Sequence, residues 1–197
     1  MFHRRHAMIM LAGGCFLPST VLGAPVRYQL DPDHSNVGFK FKLNGITQSG
    51  SMPVDRADIT IDPQQLSTSR VDVTVTAARA RTGLIFITQA MTGPEVLNTA
   101  QFPSIRFVSR RITLGASGRI SEGAHITGNL TVRGVTRSVR LQASLYRQLG
   151  TATDDLSKLD VVLNGGLNRN DFGASGFPNL VADTVELDIR ARIIAVK

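Results

Sequence analysis

The sequence predicts an all-β protein: eight antiparallel strands in up-and-down order closing into a barrel, with a short helical insertion around residues 84–98. Three observations predict it. Apolar residues recur at every second position in segment after segment, turn residues punctuate those segments, and helical periodicity is scarce.

The clearest segment comes first. Val37, Phe39, Phe41 and Leu43 are apolar, while Gly38, Lys40 and Lys42 between them are not, which is the signature of a half-buried strand. Ile59 with Ile61 is a shorter case, and Val71, Val73 and Val75 repeat the alternation. Ile105 with Phe107 follows, then Ile126, Leu130 and Val132, then Val139, Leu141, Ala143 and Leu145. Leu159, Val161 and Leu163, and finally Val185, Leu187, Ile189, Ala191 and Ile193, complete the eight. Asn44-Gly45, Asp62-Pro63, Gly115 to Gly118 and Gly165-Gly166 supply turns. Eight such strands fit a sandwich or a barrel, and glycine-containing hairpins favour the barrel, which closes without edges.

One segment breaks the pattern. Leu84 to Ile87, continuing to Met91, is apolar on every side, and Thr92-Gly93-Pro94-Glu95 offers a helix start with proline near the first helical position. Two readings stand here: a lid over one mouth of the barrel, or a satellite core cluster under a long loop.

The N-terminus reads as an export signal. Arg4 and Arg5 precede an uncharged apolar run from Ala7 to Leu22, interrupted by Gly13, Gly14 and Pro18. That run is short for a membrane span and right for a secretory leader. Cleavage after Gly23 is expected, leaving one exported domain over residues 24–197. Cys15 is the only cysteine and belongs to the leader, so disulfides do not stabilise the mature domain. Loss of the leader lowers the net charge from +7 to +5, since Arg4 and Arg5 are its only charges. The remaining cations alternate with acids, as in Glu186-Leu187-Asp188-Ile189-Arg190, which reads as a solvated face and not as a nucleic-acid surface. A stripe of Arg133, Arg137, Arg140 and Arg147 is a candidate contact for anionic phospholipid.

Facing follows from the alternation. Phe39, Phe41, Val73, Val75, Phe107, Leu130, Leu141, Leu187 and Ile189 are expected to line the lumen, with Phe86, Leu97 and Phe172 nearer a mouth. An eight-stranded barrel is just wide enough to be filled by its own side chains or to hold one small ligand. Periodicity alone leaves both outcomes open: a solid core, or a lumen whose packing an apolar guest completes.

Several segments carry a resemblance. They are Tyr28 to Ser35 (YQLDPDHS), Gly93 to Leu97 with Phe102 to Phe107 (GPEVL, FPSIRF), Gly128 to Arg137 (GNLTVRGVTR) and Asn168 to Gly173 (NRNDFG). Together, over about Tyr28 to Val196, the chain resembles the YceI-like, polyisoprenoid-binding family. The resemblance implies an extended lipocalin-like barrel of eight strands, exported to the periplasm and enclosing an isoprenoid or other amphiphilic chain, such as a quinone precursor or fatty amide. It implies no catalytic residues and no cofactor beyond that lipid. Three departures stand out: Asn44 and Arg133 occupy positions where the family commonly has histidine, and Ile85 to Thr88 replaces a stretch that is usually charged.

Other chemistry is thinly signalled. His34 and His125 are the only histidines after the leader and lack metal-ligand spacing; His34, within Asp33-His34-Ser35, is expected to pin the chain's entry into the barrel. Ser175 sits in Gly-Ala-Ser-Gly without a nucleophile-elbow spacing. Arg169 and Asp171 flank a bend as either a headgroup contact or a structural ion pair. The competing function classes are a solid adhesion barrel meeting a membrane or protein through its outer face, with homodimerisation through that face also open, and a secreted esterase.

Overall fold

The computed structural model describes residues 24–62, 64–115, 123–152 and 155–196. The expected leader, with Cys15, and most of the Gly115–Gly118 turn lie outside the described residues.

The described residues form ten strands: β1 (Val26–Leu43), β2 (Ile46–Met52), β3 (Val54–Ile61), β4 (Arg70–Thr76), β5 (Arg81–Thr82), β6 (Ser104–Leu114), β7 (Ala124–Val132), β8 (Val135–Arg147), β9 (Lys158–Asn168) and β10 (Val181–Ala195). Eight of them close a ring in the order β1-β3-β4-β6-β7-β8-β9-β10, sealed by antiparallel pairing of β10 with β1 from Tyr28↔Ala195 to Leu43↔Val181. The two further strands extend staves of that ring. β2 runs into β3 across Pro53, and β4 runs into β5 across a 3-10 turn at Ala77–Arg79. β2 pairs with the second half of β1, and β5 with β2. The up-and-down barrel is therefore present, two of its walls kinked.

β1 is longer than the alternation suggested because its first half holds a bulge: Asp31 pairs with Arg192 and Asn36 with Arg190. The bulge is tied locally. The Asp31 carboxylate accepts from the Asp33 amide (3.2 Å) and meets His34 Nδ1 (2.9 Å), while the Ser35 hydroxyl donates to the Asp31 carbonyl and accepts from the Arg192 amide. His34 thus makes the local contacts expected of it.

Two hairpins turn through left-handed residues, Asn44 (φ 50°) with Gly45 (φ 78°), and Arg133 (φ 49°) with Gly134 (φ 74°). Asparagine tolerates that geometry and arginine does so at a cost. The helix α1 (Ile85–Thr92) lies within the expected insertion, but not where proline suggested. Gly93 ends it, its amide donating to the carbonyls of Gln89 and Ala90, and Pro94 follows as a stop. The apolar run itself is the helix.

The arginine stripe is not a face. On β8 side chains alternate, so Arg137 and Arg147 share one side and Arg140 the other, while Arg133 lies in the turn before the strand, its Nη1 donating to the carbonyls of Pro94 (2.8 Å) and Val96 (2.6 Å).

The ring is not paired along its whole length: β1 and β3 share only Val26↔Ile61 to Tyr28↔Ile59. β8 and β9 pair from Arg147↔Leu159 only as far as Gln142↔Asn164. Beyond that β8 continues on β7 and β9 on β10, and the 3-10 turn Arg169–Phe172 lies against β8.

Candidate binding chamber

The foot of the barrel is closed by packing. Tyr28, Ile59, Leu159 and Ile193, on four neighbouring strands, form a buried cluster, with Tyr28 only 2% exposed. The Tyr28 hydroxyl donates to the Leu156 carbonyl at 2.9 Å, and burial pushes its pKa up. Ile112, Ile126 and Ala143 make a second small cluster on the wall.

Above the foot the barrel is hollow. A chamber of about 570 Å³ occupies the lumen, inside the range typical of small-molecule sites, roughly 300–1,000 Å³. Glycine is the reason the large side chains leave it empty. The ring of Phe39 reaches over Gly50, its cross-strand partner, and the ring of Phe107 reaches over Gly128. A methyl at either glycine would overlap the ring above it, and one at Gly165 would meet Leu141 Cδ2 at 2.6 Å. Bare backbone lets these side chains fold against the wall instead of crossing the lumen.

All twelve residues expected at the site line this chamber. Phe39 and Phe41 stack on β1 with ring centroids 6.2 Å apart. Val73 and Val75 face in from β4, Phe107 from β6, Leu130 from β7 and Leu141 from β8. Leu187 and Ile189 complete the wall from β10. Phe86 of α1 lines the chamber while remaining 61% exposed, whereas Leu97 and Phe172 are buried where the segment after α1 meets the ring. Sequence reasoning did not find the lining contributed by Met52, Ile87 and Met91; Met52 ends a strand that the alternation missed, and the helical pair belongs to the other period.

The polar side chains of the lining are Ser35, Asn44, Ser69, Arg169 and Arg190. Four are already engaged by protein, Arg190 by Asp188 at 3.9 Å. Ser35 serves the bulge, and the Ser69 hydroxyl accepts from the Asp62 amide. Arg169, buried at the mouth, donates to the carbonyls of Ala174, Gly176, Val181 and Ala182 at 2.5–3.1 Å and lies 3.8 Å from Asp183. Its carboxylate neighbour is thus Asp183, not Asp171, and its role is to hold the 174–182 loop. Ser175 is exposed in that loop. No group of three or more His, Cys, Asp or Glu residues converges among the described residues.

The mouth is spanned by α1 and the loop after it. Ile87 and Met91 point in, and the far end of the segment is tied down by Arg133 and by the Gly176 amide, which donates to the Glu95 carbonyl at 2.9 Å. Of the two readings of residues 84–98, the structure supports the lid.

A closed antiparallel barrel with an apolar chamber, a packed foot and a lidded mouth defines the lipocalin-like class of fold. Within that class the chain belongs to the YceI-like family, whose domain model matches residues 28–193. A UPF0312 protein of Pseudomonas savastanoi pv. phaseolicola is 25% identical over 94% of this chain and 95% of its own. Among solved structures, Burkholderia cenocepacia BcnA superposes with a TM-score of 0.72 at 17% identity, covering 83% of this chain and 99% of its own. A polyisoprenoid binding domain from Saccharophagus degradans, implicated in plant cell wall breakdown, gives 0.63 at 14% identity over 87% and 99%. At those identities the structural likeness speaks to the fold.

Proposed function

We propose that the protein is a periplasmic carrier or sequestering protein for a long-chain isoprenoid or other amphiphilic lipid, held in the chamber without catalysis. The observation that carries this reading is the chamber itself. Filled with water at ~30 Å³ each it would take about twenty molecules, most of them facing hydrocarbon, whereas a buried water needs two to four polar partners. An apolar guest suits that wall. At about 0.8 kcal/mol per buried methylene, some twenty enclosed carbons contribute roughly 16 kcal/mol before association and ordering costs are subtracted. Because Ser35, Ser69 and Arg169 are committed to protein partners, the chamber selects by length and shape, and a polar headgroup stays at the mouth.

The solved polyisoprenoid-binding relative supports the ligand class, and the leader-like residues 1–23 support the compartment. A chamber of this volume counts against the solid adhesion barrel. The test is organic extraction of the purified protein followed by mass spectrometry. A stoichiometric lipid in the extract supports the carrier reading; a protein that emerges empty and takes up no added long-chain prenol refutes it. Turnover of a chromogenic acyl ester, lost in Ser175→Ala, would favour an esterase instead.

A further inference from the structure

We propose that the mouth is a membrane-docking surface, on which the barrel stands upright on a phospholipid bilayer with Ile46, Leu84, Ile85, Phe86 and Leu180 in the interfacial layer. The inference rests on the carrier reading and names how the guest enters and leaves.

Five large apolar side chains at one end of the molecule are left in water: Ile85 is 77% exposed, Ile46 66% and Phe86 61%, with Leu84 and Leu180 about half exposed. They come from three elements that the fold draws together. The Asn44 amide at the β1–β2 tip donates to the Leu180 carbonyl at 2.8 Å, setting Ile46 beside the 177–180 turn. β5 runs antiparallel to β2, with Thr82 opposite Gly50 and Arg81 opposite Ser51, so the chain leaving Thr82 heads for that same tip and delivers Leu84, Ile85 and Phe86 there. The helix they open carries no charge in any of its eight residues, Ile85–Thr92, and so cannot be a solvated surface helix in the ordinary sense.

Three facts select a bilayer as the occupant. First, Phe86 and Leu180 line the chamber and also reach solvent, so the patch is continuous with the lumen and a hydrocarbon chain crossing it would never meet water. Second, the patch is large for a surface left bare: at ~200 Å² per large side chain it exposes roughly 600 Å², the upper end of what a soluble monomer leaves uncovered, which marks it as an interaction site. Third, Lys42 stands exposed on the shoulder of the same hairpin, opposite Thr47, and sets a cation beside the patch within reach of an anionic headgroup.

The experiment is co-sedimentation of the purified full-length protein with vesicles of phosphatidylcholine containing a third phosphatidylglycerol. Wild type is expected to sediment with the vesicles. The double variant Ile85→Asp/Phe86→Asp and the separate variant Ile46→Asp should each lower partitioning by about tenfold or more. Leu149→Asp, a fully exposed leucine beyond the β8 end at the foot, should change nothing. The altered side chains are exposed, so circular dichroism and melting should match wild type, and Ile46→Asp provides an independent arm if the double variant does not fold. Wild type remaining in the supernatant overturns the proposal, as does equal loss in Leu149→Asp. So does a concentration-dependent dimer in light scattering that only the mouth variants dissolve, which would assign the patch to a second copy. Extracting each preparation separates the two claims. Lipid recovered from a protein that ignores vesicles leaves the carrier reading standing and the docking surface refuted, and vesicle binding by a protein that never yields lipid does the reverse.

Discussion

The foot and the mouth of this barrel turn the same kinds of residue inward, yet one end packs them into a plug and the other leaves them around a chamber. At the foot Tyr28, Ile59, Leu159 and Ile193 come from strands paired side by side, β3 with β1, β1 with β10 and β10 with β9, and their side chains meet across the bore. At the mouth two walls kink, at Pro53 and at Ala77–Arg79, the β8–β9 seam opens, and a helix must cover what the strands no longer close. The lesson is that hydrophobic pattern sets which way a side chain points, while convergence of the backbone sets whether it is buried when it gets there.

The comparison can be broken or sharpened in order of expected effect. Phe41→Asp places a carboxyl on the chamber wall and should abolish guest retention altogether, so native mass spectrometry should show only the apo mass; full retention would remove Phe41 from the lumen. Tyr28→Ala should cost about 3–5 kcal/mol in urea unfolding, since it empties a packed site, while Phe86→Ala at the mouth should stay within about 0.5 kcal/mol. Equal costs would erase the distinction between the ends. Gly128→Ala should cost about 1–3 kcal/mol by displacing the Phe107 ring into the bore, and should exclude bulky guests before slender ones. Arg133→Gly removes both hydrogen bonds to the lid but relieves a left-handed arginine, so guest release should quicken about tenfold with little change in stability. The smallest effect concerns acid. The hydrogen bond from Arg192 beside Asp160 holds that carboxyl below the ordinary carboxylate range. Its folded-state pKa being depressed, the pair stabilises the fold above that range and ceases to do so as pH falls through the lowered value. Asp160→Asn should therefore cost under ~1 kcal/mol at neutral pH, because the pair is partly exposed, and nothing in strong acid.

Much of this was legible in the residues. Period-two alternation placed the eight staves and pointed the nine strand side chains at the lumen, because facing on a strand depends only on parity; Phe86, Leu97 and Phe172 lie off the strands and reach it from the lid and the 3-10 turn. β2 escaped because its inward positions include Gln48 and Gly50, and Gly50 is small for a reason visible only in three dimensions: the Phe39 ring lies on it. For the same reason periodicity could not decide between a solid and a hollow barrel, since that turns on which glycine faces which ring. The roles of Arg133 and Arg169 are not legible in the residues, because their acceptors are mostly backbone carbonyls on other segments, and a carbonyl leaves no trace in sequence. Pro94 follows a helix instead of opening one, and both positions suit proline.

The unfinished seam between β8 and β9 has a consequence for what such a container can hold. A ring hydrogen-bonded all the way round has a fixed circumference; this one has slack where β8 and β9 part beyond Gln142↔Asn164, as it has where β1 and β3 part beyond Tyr28↔Ile59. Its girth can give a little, while its depth, stopped by Tyr28, cannot. Thickness should therefore be tolerated generously in a guest and length judged strictly.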